Sequence, residues 1–152
     1  MDYLLNLEIY QIKSFMEFSF SYAHIIRVRY SETDRMGYCY YGNYAQYLEV
    51  GRVEAIRRLG FVYKELENMG ILLPVSTLNI RYKHPAFYDD ELIIHTAIEK
   101  IEGARIFFSY RIECQKKLIA EADTILVFVD KNINKPIACP DFFLEKLRTY
   151  EK

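Results

Sequence analysis

The chain has 152 residues, a length that suits one domain able to bury its own core without disulfide or metal staples. Hydrophobic residues make up 51% and charged residues 27%, a globular balance, and the net charge of −1 argues against a general nucleic-acid binder. Three cysteines, Cys39, Cys114 and Cys139, form no C-x-x-C pair and fit reduced thiols in a cytoplasmic protein; no apolar run reaches the length of a membrane span.

Residues 1–22 are rich in Tyr, Leu, Ile and Phe, but Asp2 and Glu8 stand where a secretory signal would be positive, and no small-residue cleavage site follows. They read as an N-terminal extension, with Met16 a candidate second start, ahead of a single domain over residues 23–150. His24–Ser31 has strand alternation, with Ile26, Val28 and Tyr30 on one face. From Tyr44 the period changes: Tyr44, Leu48, Gly51, Ala55 and Leu59 form one helical stripe, with Asn43 as expected N-cap and Gly60 as stop. Gly51 and Ala55 in that stripe predict a helix lying close against a sheet. A second short helix is expected over Val62–Met69. Strands follow around Thr77–Lys83, over Glu91–Ile101 and Ala104–Cys114, and as one long strand over Leu118–Asp130; Pro140–Tyr150 reads as a terminal amphipathic helix. This order gives an α+β fold, an antiparallel sheet wrapped around one long helix. Its unpaired edges predict pairing with another copy, as a homodimer or homotetramer.

Between the first strand and the long helix lies YSETDRMGYCYYGNY, Tyr30–Tyr44. With Leu48, Glu49 and Arg52 on the helix that follows, it resembles the signature of the 4-hydroxybenzoyl-CoA thioesterase family, hotdog-fold acyl-CoA thioesterases that include the Tol–Pal-associated bacterial branch. The element order matches from about His24 to Asp130. The resemblance implies hydrolysis of an acyl-CoA to free acid and CoA, with no metal and no prosthetic group, coenzyme A being part of the substrate. Asp34 matches the family's catalytic carboxylate. Tyr41 matches the residue at the helix start whose backbone N–H polarises the thioester carbonyl, and Gly37 matches the glycine of the tight loop between them. In the Tol–Pal branch a His commonly stands at the place of Tyr41.

The residues themselves point the same way. Thioester hydrolysis needs a nucleophile or an activated water, and donors aimed where negative charge develops on the carbonyl oxygen. An acid shortly before a helix N-terminus places a base and free N–H groups within one loop. Glu32, two residues from Asp34, would point the same way in extended chain, as a second active-site acid or a solvated strand-end carboxylate. Tyr38, Tyr40, Tyr41 and Tyr44 can line an acyl pocket or fill a core or dimer seam, and Tyr44 is taken as substrate-binding. Glu49 reads as a supporting or ion-paired residue. The phosphates of coenzyme A call for cations: Arg81, Lys83 and His84 form one candidate cluster, Arg105 and Arg111 another. The histidines His24, His84 and His95 lack metal-ligand spacing and read as structural, Cys39 has no nearby His to activate it, and there is no G-x-S-x-G. The alternatives are a non-catalytic acyl-CoA-binding module, an acyl-carrier-protein thioesterase, and an acyl-thioester dehydratase or hydratase, whose loop His is missing here.

Overall fold

The computed structural model describes residues 15–152. Five strands form one antiparallel sheet in the order β1-β4-β5-β6-β3, where β1 is Phe15–Arg27, β3 Val75–Tyr82, β4 Glu91–Glu102, β5 Arg105–Cys114 and β6 Lys117–Val127. The helix α1, Asn43–Arg58, lies across β1 and β4 on the concave face. Its buried side chains, among them Tyr44, Tyr47, Leu48, Ala55 and Ile56, meet the inward rows Leu92, Ile94 and Ile98 of β4 and Ile106, Phe108 and Ile112 of β5. The stripe read from the sequence is therefore the buried face, and the helix ends just before Gly60. Among the described residues no helix is long and apolar enough to cross a membrane.

Three boundaries differ from the sequence reading. The first strand begins at Phe15 and ends at Arg27, so a domain boundary at residue 23 would cut through β1; Ser21 and Tyr22 already pair with Ala97 and Thr96 of β4. Residues 1–14 of the expected extension lie outside the described residues. Tyr30, expected on a strand face, is exposed in a 3₁₀ turn over Tyr30–Glu32. The long strand expected over Leu118–Asp130 breaks at Phe128. Its N–H leaves the ladder for the Ala104 carbonyl at 2.8 Å, which turns the fully buried ring beneath Phe143 at a centroid distance of 5.4 Å. Beyond the break, β7 (Val129–Asp130) joins β2 (Ile71–Leu72) and β8 (Lys135–Pro136) in a small second sheet. Phe143 and Leu147 anchor α3, Asp141–Arg148, on the core, and α2, Tyr63–Asn68, packs by Leu66.

The two sheet edges are treated differently. At β1 the chain's own end adds backbone bonds: Ser19 N–H donates to the Tyr150 carbonyl at 2.7 Å and Lys152 N–H to that of Glu17 at 3.0 Å. Beyond β3 no described strand pairs, and Val75 and Leu78 stand 47% and 43% exposed along it.

Gly51 sets the depth of α1. A Cβ there would lie 2.6 Å from Ile94 Cγ2 and 2.8 Å from Thr96 Oγ1, both inside β4, so only glycine permits this approach. Gly51→Ala is expected to cost about 1–3 kcal/mol by overpacking, read as a lower urea midpoint. The Thr96 hydroxyl is buried there without a partner among the described residues. Thr96→Val removes that orphan and is expected to raise the midpoint.

Candidate active site

The segment between β1 and α1 folds back on itself. Thr33 bridges Cys39 in antiparallel fashion, Asp34 N–H donates to the Tyr38 carbonyl at 3.0 Å, and Gly37 N–H donates to the Asp34 carbonyl at 3.0 Å. Gly37 turns the chain at φ +85°, a conformation in which a side chain would be strained.

The two acids of this loop part company. Glu32 is buried, neither solvated nor a second acid of the cleft. Its Oε1 accepts the Arg29 N–H at 2.8 Å and its Oε2 the Arg29 guanidinium at 3.3 Å, so the carboxylate closes the 3₁₀ turn. Burial pushes this carboxyl up, but the Arg29 backbone N–H, the Arg29 guanidinium and the Tyr47 hydroxyl outweigh it and hold Glu32 below its ordinary value of 4.5. The backbone carbonyl of Glu32 in turn accepts the Tyr40 N–H at 2.8 Å and Asn43 Nδ2 at 2.7 Å. Asn43, expected as the N-cap, is thus the first residue of α1 and staples it to the loop. Gly42 holds the N-cap position with helical angles, leaving no extended residue whose side chain could cap the helix.

Asp34 is half-buried at a cleft of about 360 Å³, with Tyr38, Tyr41, Tyr44, Tyr82, Lys83 and His84 around it. Its Oδ1 accepts the Met36 N–H at 2.8 Å, so it is a turn acid as well as a cleft acid, while Oδ2 has no partner among the described residues. Tyr41, just before α1, lines the same cleft, and the N–H groups of Tyr41 and Gly42 donate to nothing among the described residues. The Tyr41 carbonyl accepts the Tyr82 hydroxyl at 3.1 Å. Because the peptide is planar, holding that oxygen also sets the direction of the Gly42 N–H. Tyr44 forms the floor, its ring edge-on to Tyr82 at 5.2 Å, and burial pushes its phenol up so that it stays neutral.

Not every candidate converges here. The pleat that turns Tyr82 into the cleft turns Arg81 to the outer face, where it meets Asp123 at 3.8 Å and Glu121 at 4.0 Å. Arg105 opens β5 at the opposite end of the sheet, seven residues or about 23 Å along the strand from Ile112, whose partner Ala120 faces Tyr82. It lines a separate hollow with Glu102 and Pro136, so the fold of this chain does not bring it to Asp34. Glu49 is exposed and pairs with no cation among the described residues, because Arg52 turns to Tyr63 and Tyr110 instead. Cys39 is buried with Sγ 3.3 Å from the Tyr47 hydroxyl, and burial pushes its thiol up, which disfavours a thiolate nucleophile. Two cleft residues were under-read. His84 is fixed by Nδ1–H donating to the Leu118 carbonyl at 2.9 Å. Tyr82 was visible only as the last apolar position of the Leu78–Ile80–Tyr82 alternation.

Residues 28–147 match the thioesterase-like superfamily. The chain is 40% identical over 128 residues to a putative acyl-CoA thioesterase, YneP, of Bacillus subtilis, covering 84% of this chain and 93% of that protein. It is 33% identical over 116 residues to the acyl-CoA thioesterase YbgC of Haemophilus influenzae, covering 76% and 85%. Its structure superposes on that of a DHNA-CoA thioesterase from Staphylococcus aureus with a TM-score of 0.78 at 35% identity, over 85% of this chain and 91% of that one. A 4-hydroxybenzoyl-CoA thioesterase complexed with 4-hydroxybenzoyl-CoA shares the fold, with a TM-score of 0.78 at 21% identity over 85% of this chain and 99% of that one.

The depressed pKa of Glu32 has a sign that can be tested. Its contribution to stability is fully present above about pH 5 and is lost as the pH falls through its folded value below 4.5. Glu32→Gln keeps an acceptor for the Arg29 N–H but removes the charge. It is expected to cost about 1 kcal/mol at pH 7 and to flatten the acid limb of a urea-midpoint profile between pH 3 and 5.

Proposed function

As a member of the thioesterase-like superfamily the chain is a hotdog acyl-CoA thioesterase, and we propose that Asp34 is its catalytic carboxylate and the Tyr41 and Gly42 N–H groups its oxyanion donors. The observation that carries this is one cleft of about 360 Å³ lined by both Asp34 and Tyr41, with Asp34 Oδ2 and the successive N–H groups of Tyr41 and Gly42 unpartnered among the described residues. The thioester carbonyl oxygen rests against the donors, where the positive end of α1 favours the charge that develops on it. Asp34 acts as the anion, whether it attacks the carbonyl carbon itself or takes the proton of an attacking water. The C–S bond then breaks and CoA leaves as the thiolate, which takes up a proton. After direct attack a water next hydrolyses the acyl–Asp34 anhydride, and by either route the acyl group departs as the free acid. Gly37 lets the loop double back so that acid and donors meet. Lys83, at the cleft, is the proposed partner of the coenzyme A phosphates, and Tyr44 supports the acyl group from below. The chemistry draws on coenzyme A only as part of the substrate, and on no metal or prosthetic group.

We further propose a homodimer formed along β3. Support comes from the contrast between the two edges and from a groove of about 250 Å³ between α1 and β3, whose walls include Ala45, Leu48, Val75 and Leu78. The free cysteines support a cytoplasmic setting.

Asp34→Asn is expected to retain the fold by circular dichroism and to lose roughly 10²–10⁴-fold in kcat, measured as thiol release from a panel of short, long and aromatic acyl-CoAs. Hydrolysis at the parent rate would sink the mechanism. Tyr82→Phe removes one hydrogen bond from the Tyr41 carbonyl and keeps the ring in the cleft. It is expected to lower kcat up to about tenfold and to leave KM nearly unchanged.

A further inference from the structure

Arg52 lies on α1 outside the Asp34 cleft, and it is a buried cation without an anion. The residue is 8% exposed. Its Nε donates to the Tyr63 hydroxyl and its Nη1 to the Tyr110 hydroxyl, each at 3.3 Å, and the Tyr110 hydroxyl meets Thr124 Oγ1 at 2.8 Å. Both phenols are neutral partners: burial pushes them up, although the guanidinium pulls the other way. No carboxylate among the described residues forms an ion pair with Arg52. Its third nitrogen, Nη2, makes no hydrogen bond with the described residues, and unlike the Thr96 hydroxyl it is not sealed from solvent. Burying a guanidinium this far is unfavourable unless an anion completes it.

Arg52 lines two open hollows, the groove of about 250 Å³ against β3 and a larger one of about 590 Å³ bordered by α1, α2, the Leu72–Pro74 link and the turn between β7 and β8. Val53, Leu72, Leu73 and Pro74 give the larger one apolar walls, and Glu49 and Glu67, both exposed, stand at its rim. We infer that this cavity binds a monocarboxylate with a short apolar tail, its carboxylate on the Arg52 guanidinium and its tail against Leu72, Leu73 and Pro74. The planar fork of arginine matches a carboxylate. The volume and walls suit a hydrocarbon body better than a bare ion. The two rim carboxylates repel multiply charged groups, which disfavours the phosphates of coenzyme A. The acid released by thioester hydrolysis belongs to this ligand class; only that link to a physiological ligand rests on the proposed function, and the site itself is tested without turnover.

The experiment is calorimetric titration of the full chain at pH 7 with hexanoate and benzoate, and with hexanamide and benzamide as neutral controls of the same shape. Saturable binding of the acids but not the amides is expected, weakened roughly tenfold or more in Arg52→Met, the loss of a charge-assisted hydrogen bond. If Arg52→Met does not fold, the Arg52 Nε–H resonance of the wild type, followed by NMR during the hexanoate titration, carries the test: it is expected to shift and saturate. Equal affinity for acid and amide, undiminished binding in Arg52→Met, or an Arg52 resonance that hexanoate leaves in place would overturn the inference. So would a wild type that binds no acid but sediments as a dimer that Arg52→Met dissociates, since the missing anion would then belong to a second copy.

Discussion

The close approach of α1 to β4 at Gly51 governs where everything else can be. With glycine under Ile94 and Thr96 the helix sinks onto the sheet, and no larger residue fits without moving a strand. The depth of the helix fixes the height of its first turn, next to the Tyr41 and Gly42 N–H groups that have no partner among the described residues. A helix raised by one methyl thickness would carry those donors with it, while the loop, tied to Ala86 by the Cys39 N–H at 2.7 Å, would stay behind. Packing and chemistry are coupled at this contact.

The loop then resolves a problem that two nearby carboxylates create. Side by side in one cleft, Glu32 and Asp34 would raise each other's cost of ionisation. The chain separates them by environment. Glu32 is taken inside and compensated by Arg29, so its charge stabilises the fold, and its main-chain carbonyl ties Tyr40 and Asn43 to the helix start. Asp34 keeps one oxygen on the Met36 N–H and the other without a partner among the described residues, which suits the catalytic role proposed for it. Tyr82 completes the geometry from the opposite side by holding the Tyr41 carbonyl. Hydrogen bonds from the Met36 N–H, Asn43 Nδ2 and the Tyr82 hydroxyl thus fix the loop and the helix start, and leave Asp34 Oδ2 without a partner among the described residues.

Charge is handled in the same way on the other side of α1, but left incomplete. Arg52 receives two neutral phenols where a buried guanidinium would ordinarily meet a carboxylate, and it borders an apolar cavity. The sheet edges differ too: β1 is covered by Tyr150 and Lys152, whereas β3 has no further strand beside it among the described residues. Both features lie where the single chain stops supplying partners, and both direct attention to what binds from outside.

Legible in the sequence were the order of the main helix and the long strands after it, the buried stripe of α1, the need for small residues under it and the loop in which an acid precedes a helix start. Each of these is a local pattern, set by periodicity of 3.6 or 2 or by spacing along a few residues. Only the tertiary structure decided which charged residues meet. Arg81 and Tyr82 are neighbours in the chain but lie on opposite faces of β3, and Arg105 lies at the wrong end of β5; strand register settles both, and register depends on distant partners. The fate of Glu32 was illegible for the same reason, since the change from strand to 3₁₀ turn at Tyr30 reverses where its side chain points. The start of β1 was legible, since Met16, Phe18, Phe20 and Tyr22 alternate with Glu17, Ser19 and Ser21, and β4 with Tyr150 and Lys152 holds it in place. Local propensity writes the elements, and the long-range ladder of the sheet chooses which side chains share a site.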